Sequence, residues 1–185
     1  GYGKDMAKNR AEAKRLLKEA GHSNLSLELH NRGVDQPYKV LGIWLIDQWK
    51  KIGVKATHRV QASPAFYATL RKKYDFDVSL DFNCQSVINP IADITKFLGS
   101  AGNNHGQYLD QELEDIYEKI ARSPSPAEQR MLIRQYEKRA LSDEAHIAVT
   151  LWWYKIDPHR SYVKGWKIAP SHYLNQQLDN VWLDK

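Results

Sequence analysis

The chain states one pattern twice within its first sixty residues: an amphipathic helical run, a single glycine, then an alternating strand. The first copy covers residues 7–20, Gly21 and 25–30, and the second covers 37–52, Gly53 and 54–60. Glycine at the end of a helical run supplies the left-handed backbone that closes a helix. Helices alternating with strands place the strands beside one another with the helices packed across them, in the doubly wound pattern with right-handed crossovers. A third unit follows. Ser63-Pro64 opens a helical stretch through Leu70, and residues 76–80 read as a third strand. In such wound sheets ligands collect beyond the carboxyl ends of the strands. The loop after Leu80 is therefore the first place to look for a site.

Finer features agree with this reading. Asp5 is placed to cap the first helix, whose apolar stripe (Ala13, Leu16, Leu17, Ala20) is narrow enough to cover a sheet rather than fill a core. Leu25, Leu27 and Leu29 alternate with Ser26, Glu28 and His30, the mark of a strand with one wet face. Asp35-Gln36-Pro37 opens the second helix, where Val40, Leu41, Trp44, Leu45, Trp49 and Ile52 predict a deeply packed stripe. Further on, 91–98 and 111–122 read as helices, and Ser125-Pro126 with Glu128 makes a capping box for another. Residues 147–154 (IAVTLWWY) read as a buried strand.

Composition narrows the function. The 185 residues can form one domain with a core, or a lobe of something larger, and no apolar run approaches the ~20 residues of a membrane span. The N-terminus, GYGKDMAKNR, has no initiator Met and no apolar signal region, and reads as a fragment or a processed chain. The net charge of +5 raises one alternative, a basic nucleic-acid-binding module built on Arg10, Lys14, Lys18 and Arg71-Lys72-Lys73. Those cations are dispersed and many sit beside carboxylates, as on a solvated helix face. The lone cysteine, Cys84, rules out an internal disulfide and has no base at a recognisable spacing, so catalysis is not expected. The seven histidines form no HxxxH or HExxH pair, and neither a metal site nor a cofactor is expected.

Six segments in register carry a resemblance: AKRLLKEAGH, LGIWLIDQWKKIGVKATHRV, YDFDVSLDFN with NPIADITKFL, YLDQELEDIYEKIARSPSPAEQRMLIRQYEKRAL, AHIAVTLWWYK and VKGWKI. In this order the chain resembles the C-terminal lobe of the extracellular solute-binding proteins of ATP-driven importers, the family 5 type that includes oligopeptide, dipeptide and nickel binders. The resemblance implies an α/β, type II periplasmic-binding-protein-like lobe, with a mixed sheet and helices on both faces. It implies that residues 1–185 are a single C-terminal lobe whose N-terminal lobe is absent from this chain. The implied role is non-enzymatic: a peptide, or a peptide-like or small polar organic solute, is held in a cleft between two lobes and delivered to the transmembrane subunits of an ABC permease. Export to the periplasm, with no nucleic-acid partner, follows from the same resemblance.

In similar peptide binders the loop matching 80–90 lines the cleft, and an Asp four residues before the Pro holds the peptide ammonium. Here that position is Ser86, which suits a hydroxyl or amide group instead. The candidate ligand-binding residues are therefore Phe82, Asn83, Cys84, Gln85 and Ser86, with Trp152 and Trp153. On a strand, Trp152 and Trp153 point to opposite faces, so one meets the core and the other is open to the cleft. His159 and Arg160 are polar anchors only if the turn holding them faces the ligand.

Overall fold

The computed structural model describes residues 3–83, 89–152, 154, 156–169 and 178–184. They fall into two compact units, Gly1–Phe82 and Asn83–Lys185. The first unit carries the repeated pattern. Helix α1 (Met6–Glu19) is capped by Asp5, whose carboxylate accepts the Lys8 N–H at 3.0 Å, and is followed by Gly21 at φ +77°. Strand β1 (Ser26–Arg32) leads through a turn at Asp35–Lys39 into α2 (Val40–Lys50). Gly53, at φ +94°, then releases the chain into β2 (Lys55–Gln61). Helix α3 (Ser63–Ala68) widens through Thr69–Lys73, and β3 (Val78–Leu80) completes a parallel sheet of order β2-β1-β3. Both glycines thus stand at the left-handed positions that the pattern demands.

The central strand departs from its expected wet face. Leu29, His30 and Asn31 are all fully buried. β1 pairs with a strand on each side, and helices cover both of its faces. His30 lies 4.5 Å from the Phe66 ring of α3 and 5.9 Å from Phe76, while its Nε2 donates to Gln61 Oε1 at 2.7 Å. That oxygen also accepts the Thr69 hydroxyl at 3.1 Å. On the opposite face, Asn31 Nδ2 donates to the Tyr38 carbonyl at 2.8 Å and to His58 Nε2 at 2.9 Å. Burial lowers the pKa of both His30 and His58 below the ordinary histidine value, so each imidazole is held neutral.

Helix α2 reaches this polar spine through Gly42. A Cβ there would sit 2.5 Å from Asn31 Nδ2 and 2.6 Å from His58 Nε2. The close approach fixes the rotation of a helix that is apolar on nearly every side. Gly42 is buried, Leu41, Leu45, Ile46 and Trp49 are partly covered, and Val40, Ile43 and Trp44 are left exposed. The packed stripe expected from the sequence is therefore corrected for Val40 and Trp44.

The second unit is built on helices. Asn89 caps α4 (Pro90–Asp93), which runs on into a tighter turn at Ile94–Phe97. α5 (Gln111–Arg122) and α6 (Pro126–Lys138) pack together around a cluster of Ile94, Leu98, Leu113, Ile116, Ile120, Leu132, Tyr136 and Ala140. The Tyr136 hydroxyl donates to the Ile94 carbonyl at 3.0 Å. Ser125 caps α6 as expected, although the Glu128 carboxylate accepts from Ser123 Oγ at 2.6 Å. Asp110 caps α5 and also accepts from Arg139 Nε at 2.8 Å, with His146 Nε2 3.1 Å away.

Strands β4 (Val163–Lys164) and β5 (Trp182–Leu183) pair in antiparallel fashion. The buried strand expected over 147–154 is corrected: residues 147–152 and 154 pair with no strand among the described residues, and most are exposed. A β-rich apolar composition cannot make a strand without a neighbour to complete its hydrogen bonds. No helix among the described residues is long and apolar enough to cross a membrane.

Candidate functional site

The carboxyl ends of the parallel strands in the first unit gather a compact cationic and aromatic cluster. β1 ends in Arg32, and β3 runs on into Asp81 and Phe82. Residue alternation along β1 turns Arg32 to the same face as His30, toward α3. There its guanidinium donates to the Tyr67 hydroxyl at 2.7 Å. The guanidinium carbon lies 4.1 Å from the centre of the Tyr38 ring, 5.3 Å from that of Phe82 and 5.6 Å from that of Tyr67. Tyr38 and Phe82 meet edge to face at 6.4 Å. Three rings thus frame one cation, an arrangement that gains from charge–quadrupole attraction as well as apolar burial.

The frame leaves hydrogen-bonding capacity unused. The Arg32 Nε is buried without a hydrogen-bond partner, and Arg32 forms no ion pair among the described residues. A guanidinium is a planar fork suited to a carboxylate, and burying one of its N–H groups unsatisfied is costly. Beside it, Tyr67 donates to Asp81 Oδ1 at 3.4 Å, and Arg71 lies over the Tyr67 ring at 4.7 Å. Burial, and after it the Asp81 charge, push the Tyr67 hydroxyl pKa up, so Tyr67 stays protonated and passes a hydrogen bond from Arg32 toward Asp81. The cluster therefore offers a cationic fork, a carboxylate and aromatic walls within one small region. Among the described residues no group of three or more His, Cys, Asp or Glu could hold a metal ion.

The residues expected from the sequence are distributed unevenly. Phe82 belongs to the cluster and is half exposed. Asn83 is exposed and belongs to the second unit, as does Trp152, which is 89% exposed. Cys84, Gln85, Ser86 and Trp153 lie outside the described residues. His159 and Arg160 are exposed, and the His159 ring lies 3.3 Å from the Asp157 carbonyl. Arg32, Tyr38, Tyr67 and Asp81 went unread as site residues. The same strand-end rule that singles out the loop after β3, applied to β1, names Arg32 as its last residue.

No family model matches the chain, and no curated protein matches it significantly. Solved structures do. An ABC transporter-associated periplasmic binding protein from Helicobacter pylori, DppA, in complex with the peptide STSA, superposes with a TM-score of 0.80 over 95% of this chain at 20% identity, covering 34% of its own length. The substrate-binding domain of an oligopeptide ABC transporter from Bacillus anthracis gives a TM-score of 0.68 over 78% of this chain and 28% of its own, at 19% identity. OppA of Haemophilus influenzae, in complex with RPPGFSPFR, gives 0.66 over 72% of this chain and 27% of its own, at 18% identity. The chain spans about a third or less of the length of these three structures. At the level of fold, the resemblance read from the sequence and the α/β class with helices on both faces of the sheet are borne out, and the three-stranded sheet is parallel rather than mixed.

Proposed function

We propose that this chain is the C-terminal lobe of an exported, non-enzymatic solute-binding protein, and that the strand-end cluster is part of its solute site. The single observation that carries this reading is the Arg32 guanidinium, framed by Tyr38, Tyr67 and Phe82 with its Nε buried and unbonded. Such a fork is complementary to a carboxylate, and the neighbouring Asp81 is complementary to an ammonium or a hydroxyl group. A peptide, or a peptide-like organic acid, carries both kinds of group. The H. pylori structure holds a peptide and the H. influenzae structure another, which supports the same class of solute.

In this reading the solute is closed between this lobe and an N-terminal lobe by a hinge motion and is then handed to an ABC permease. The sequence names Asn83, Cys84, Gln85, Ser86 and an aromatic of the 152–153 pair as further candidates for solute contact. The test is calorimetry on the full-length protein with trialanine as free acid and as C-terminal amide, alongside native mass spectrometry for any co-purifying solute. The free acid should bind, and Arg32→Gln should weaken it on the order of tenfold or more. Failure of both peptide forms to bind, with no solute retained from the host, would overturn the reading.

A further inference from the structure

The sheet sets two opposite charges side by side. β1 and β3 pair in parallel with Asn31 opposite Leu80, so the next residue on each, Arg32 and Asp81, leave the sheet as neighbours. Opposite charges at such positions attract, and an arginine beside a carboxylate ordinarily closes on it as a two-pronged pair. Here no ion pair joins them among the described residues. One group of α3 stands between the two. Arg32 Nη1 donates to the Tyr67 hydroxyl at 2.7 Å, and that hydroxyl donates to Asp81 Oδ1 at 3.4 Å.

A phenolic hydroxyl both accepts and donates, so it satisfies the cation and the anion at once while holding them apart. Its pKa is pushed up by burial and then by the Asp81 charge, and it keeps the proton it donates. Tyr67 engages only the Nη1 end of the fork, and the edge carrying Nε stays unbonded. An arginine paired directly with Asp81 would have its charge neutralised before any solute arrived.

We infer that the Tyr67 hydroxyl is the spacer that keeps Arg32 from pairing with Asp81, and that it thereby sets the preference of the site for a solute carboxylate. Tyr67 is a positioning residue, acting through Arg32 and needing no contact with the solute. This role rests on the reading of the cluster as a solute site. Phenylalanine at this position keeps the ring that packs edge to face on Phe66 at 5.1 Å and lacks only the spacer oxygen. Arg32 and Asp81 then lose their shared partner, and a rotation of the long arginine side chain brings them together.

The test compares trialanine as free acid and as C-terminal amide on the full-length protein, read as the ratio of the two dissociation constants by calorimetry. The wild type should prefer the acid on the order of tenfold. Tyr67→Phe should bring the ratio down severalfold, and adding Asp81→Asn should restore it, because a neutral amide does not capture Arg32. Both peptides carry the same ammonium, so any contact of that group with Asp81 cancels in the ratio. A purely structural role for Tyr67 would lower affinity for both peptides alike and would gain nothing from Asp81→Asn. A ratio unmoved by Tyr67→Phe, or not restored by Asp81→Asn, overturns the inference and leaves the solute reading standing. A wild type without preference for the acid overturns instead the assignment of Arg32 to a solute carboxylate, and the role of Tyr67 in specificity with it. The spacer is read without solute by NMR of the isotope-labelled Arg32 guanidinium. Direct pairing with Asp81 slows rotation of the fork, so Tyr67→Phe should resolve its Nη signals and Asp81→Asn should merge them again. Signals that do not respond overturn the spacer itself, and far-UV circular dichroism confirms that each variant compared is folded.

Discussion

The two units of this chain both bury apolar side chains, Leu29, Phe66 and Leu70 in the first and Leu113, Ile120 and Tyr136 in the second, and the first also sets a polar row within its sheet. The first buries His30, Asn31 and Thr69 at the centre of its sheet and its helix contacts, where directional hydrogen bonds link them to Gln61, His58 and the Tyr38 carbonyl. The central cluster of the second is apolar, apart from a tyrosine hydroxyl with one hydrogen bond. An apolar core rewards any well-filled packing, whereas a polar one rewards only correct geometry. The candidate site stands on the polar spine. Asn31 Oδ1 accepts the N–H of Arg32 at 2.8 Å, so the polar row of the first unit also fixes the backbone of the residue that presents the cation.

The largest expected effect sharpens the contrast from the apolar side. Ile120 is fully buried among the α5–α6 contacts, and Ile120→Ala should cost about 3 kcal/mol through lost burial and an unfilled cavity. Amide hydrogen exchange should place the loss in α5 and α6. A cost under about 1 kcal/mol would show that this core collapses freely and is not close-packed. On the polar side, Asn31→Ala removes hydrogen bonds to the Tyr38 carbonyl, His58 and the Arg32 N–H at one stroke. About 2 kcal/mol is expected, because one buried and two part-buried groups each lose a hydrogen bond. Calorimetric solute binding should weaken with it as Arg32 loses its anchor. Unchanged binding would separate the spine from the site.

The same contrast explains what the sequence made legible. Gly21 and Gly53 could be read because a left-handed helix end leaves few alternatives to glycine. The cap at Ser125 could be read because its partner lies three residues away. The helices of the second unit could be read because an apolar core leaves its period in the chain, as Leu113, Ile116 and Ile120 do. His30 could not be read. Polar alternation is the signature of a wet face, and only the two flanking strands and α3 make it an interior residue. Trp44 was misplaced because α2 is apolar all round, so its rotation is set by the close approach at Gly42 and not by its own pattern. The run 147–154 has strand composition, but strand structure depends on a pairing partner that lies elsewhere in sequence. Arg32 resembles any other surface arginine until α3 brings Tyr67 across it.

The smallest effect separates the units most cleanly, because it is a matter of pH alone. Burial keeps the imidazoles of His30 and His58 neutral in the folded chain, with pKa values below those of the unfolded chain. An unfolded histidine takes up its proton near pH 6.5, while the folded ones resist until lower pH. The unfolded state therefore binds more protons as the pH falls below about 6.5. The first unit should lose stability there until the folded pKa values are passed. In the second unit, burial raises the Asp110 pKa, but the Arg139 and His146 hydrogen bonds and the Leu113 N–H outweigh it and leave the carboxyl below its ordinary value. A depressed carboxyl contributes its full stability above about pH 4, and that contribution is lost only as the pH falls lower. Between about pH 6.5 and 4.5 the β1–β2 amides should lose exchange protection, after correction for intrinsic rates, while the amides at the start of α5 keep theirs. Equal losses in the two units would mean that the polar spine is not what distinguishes them.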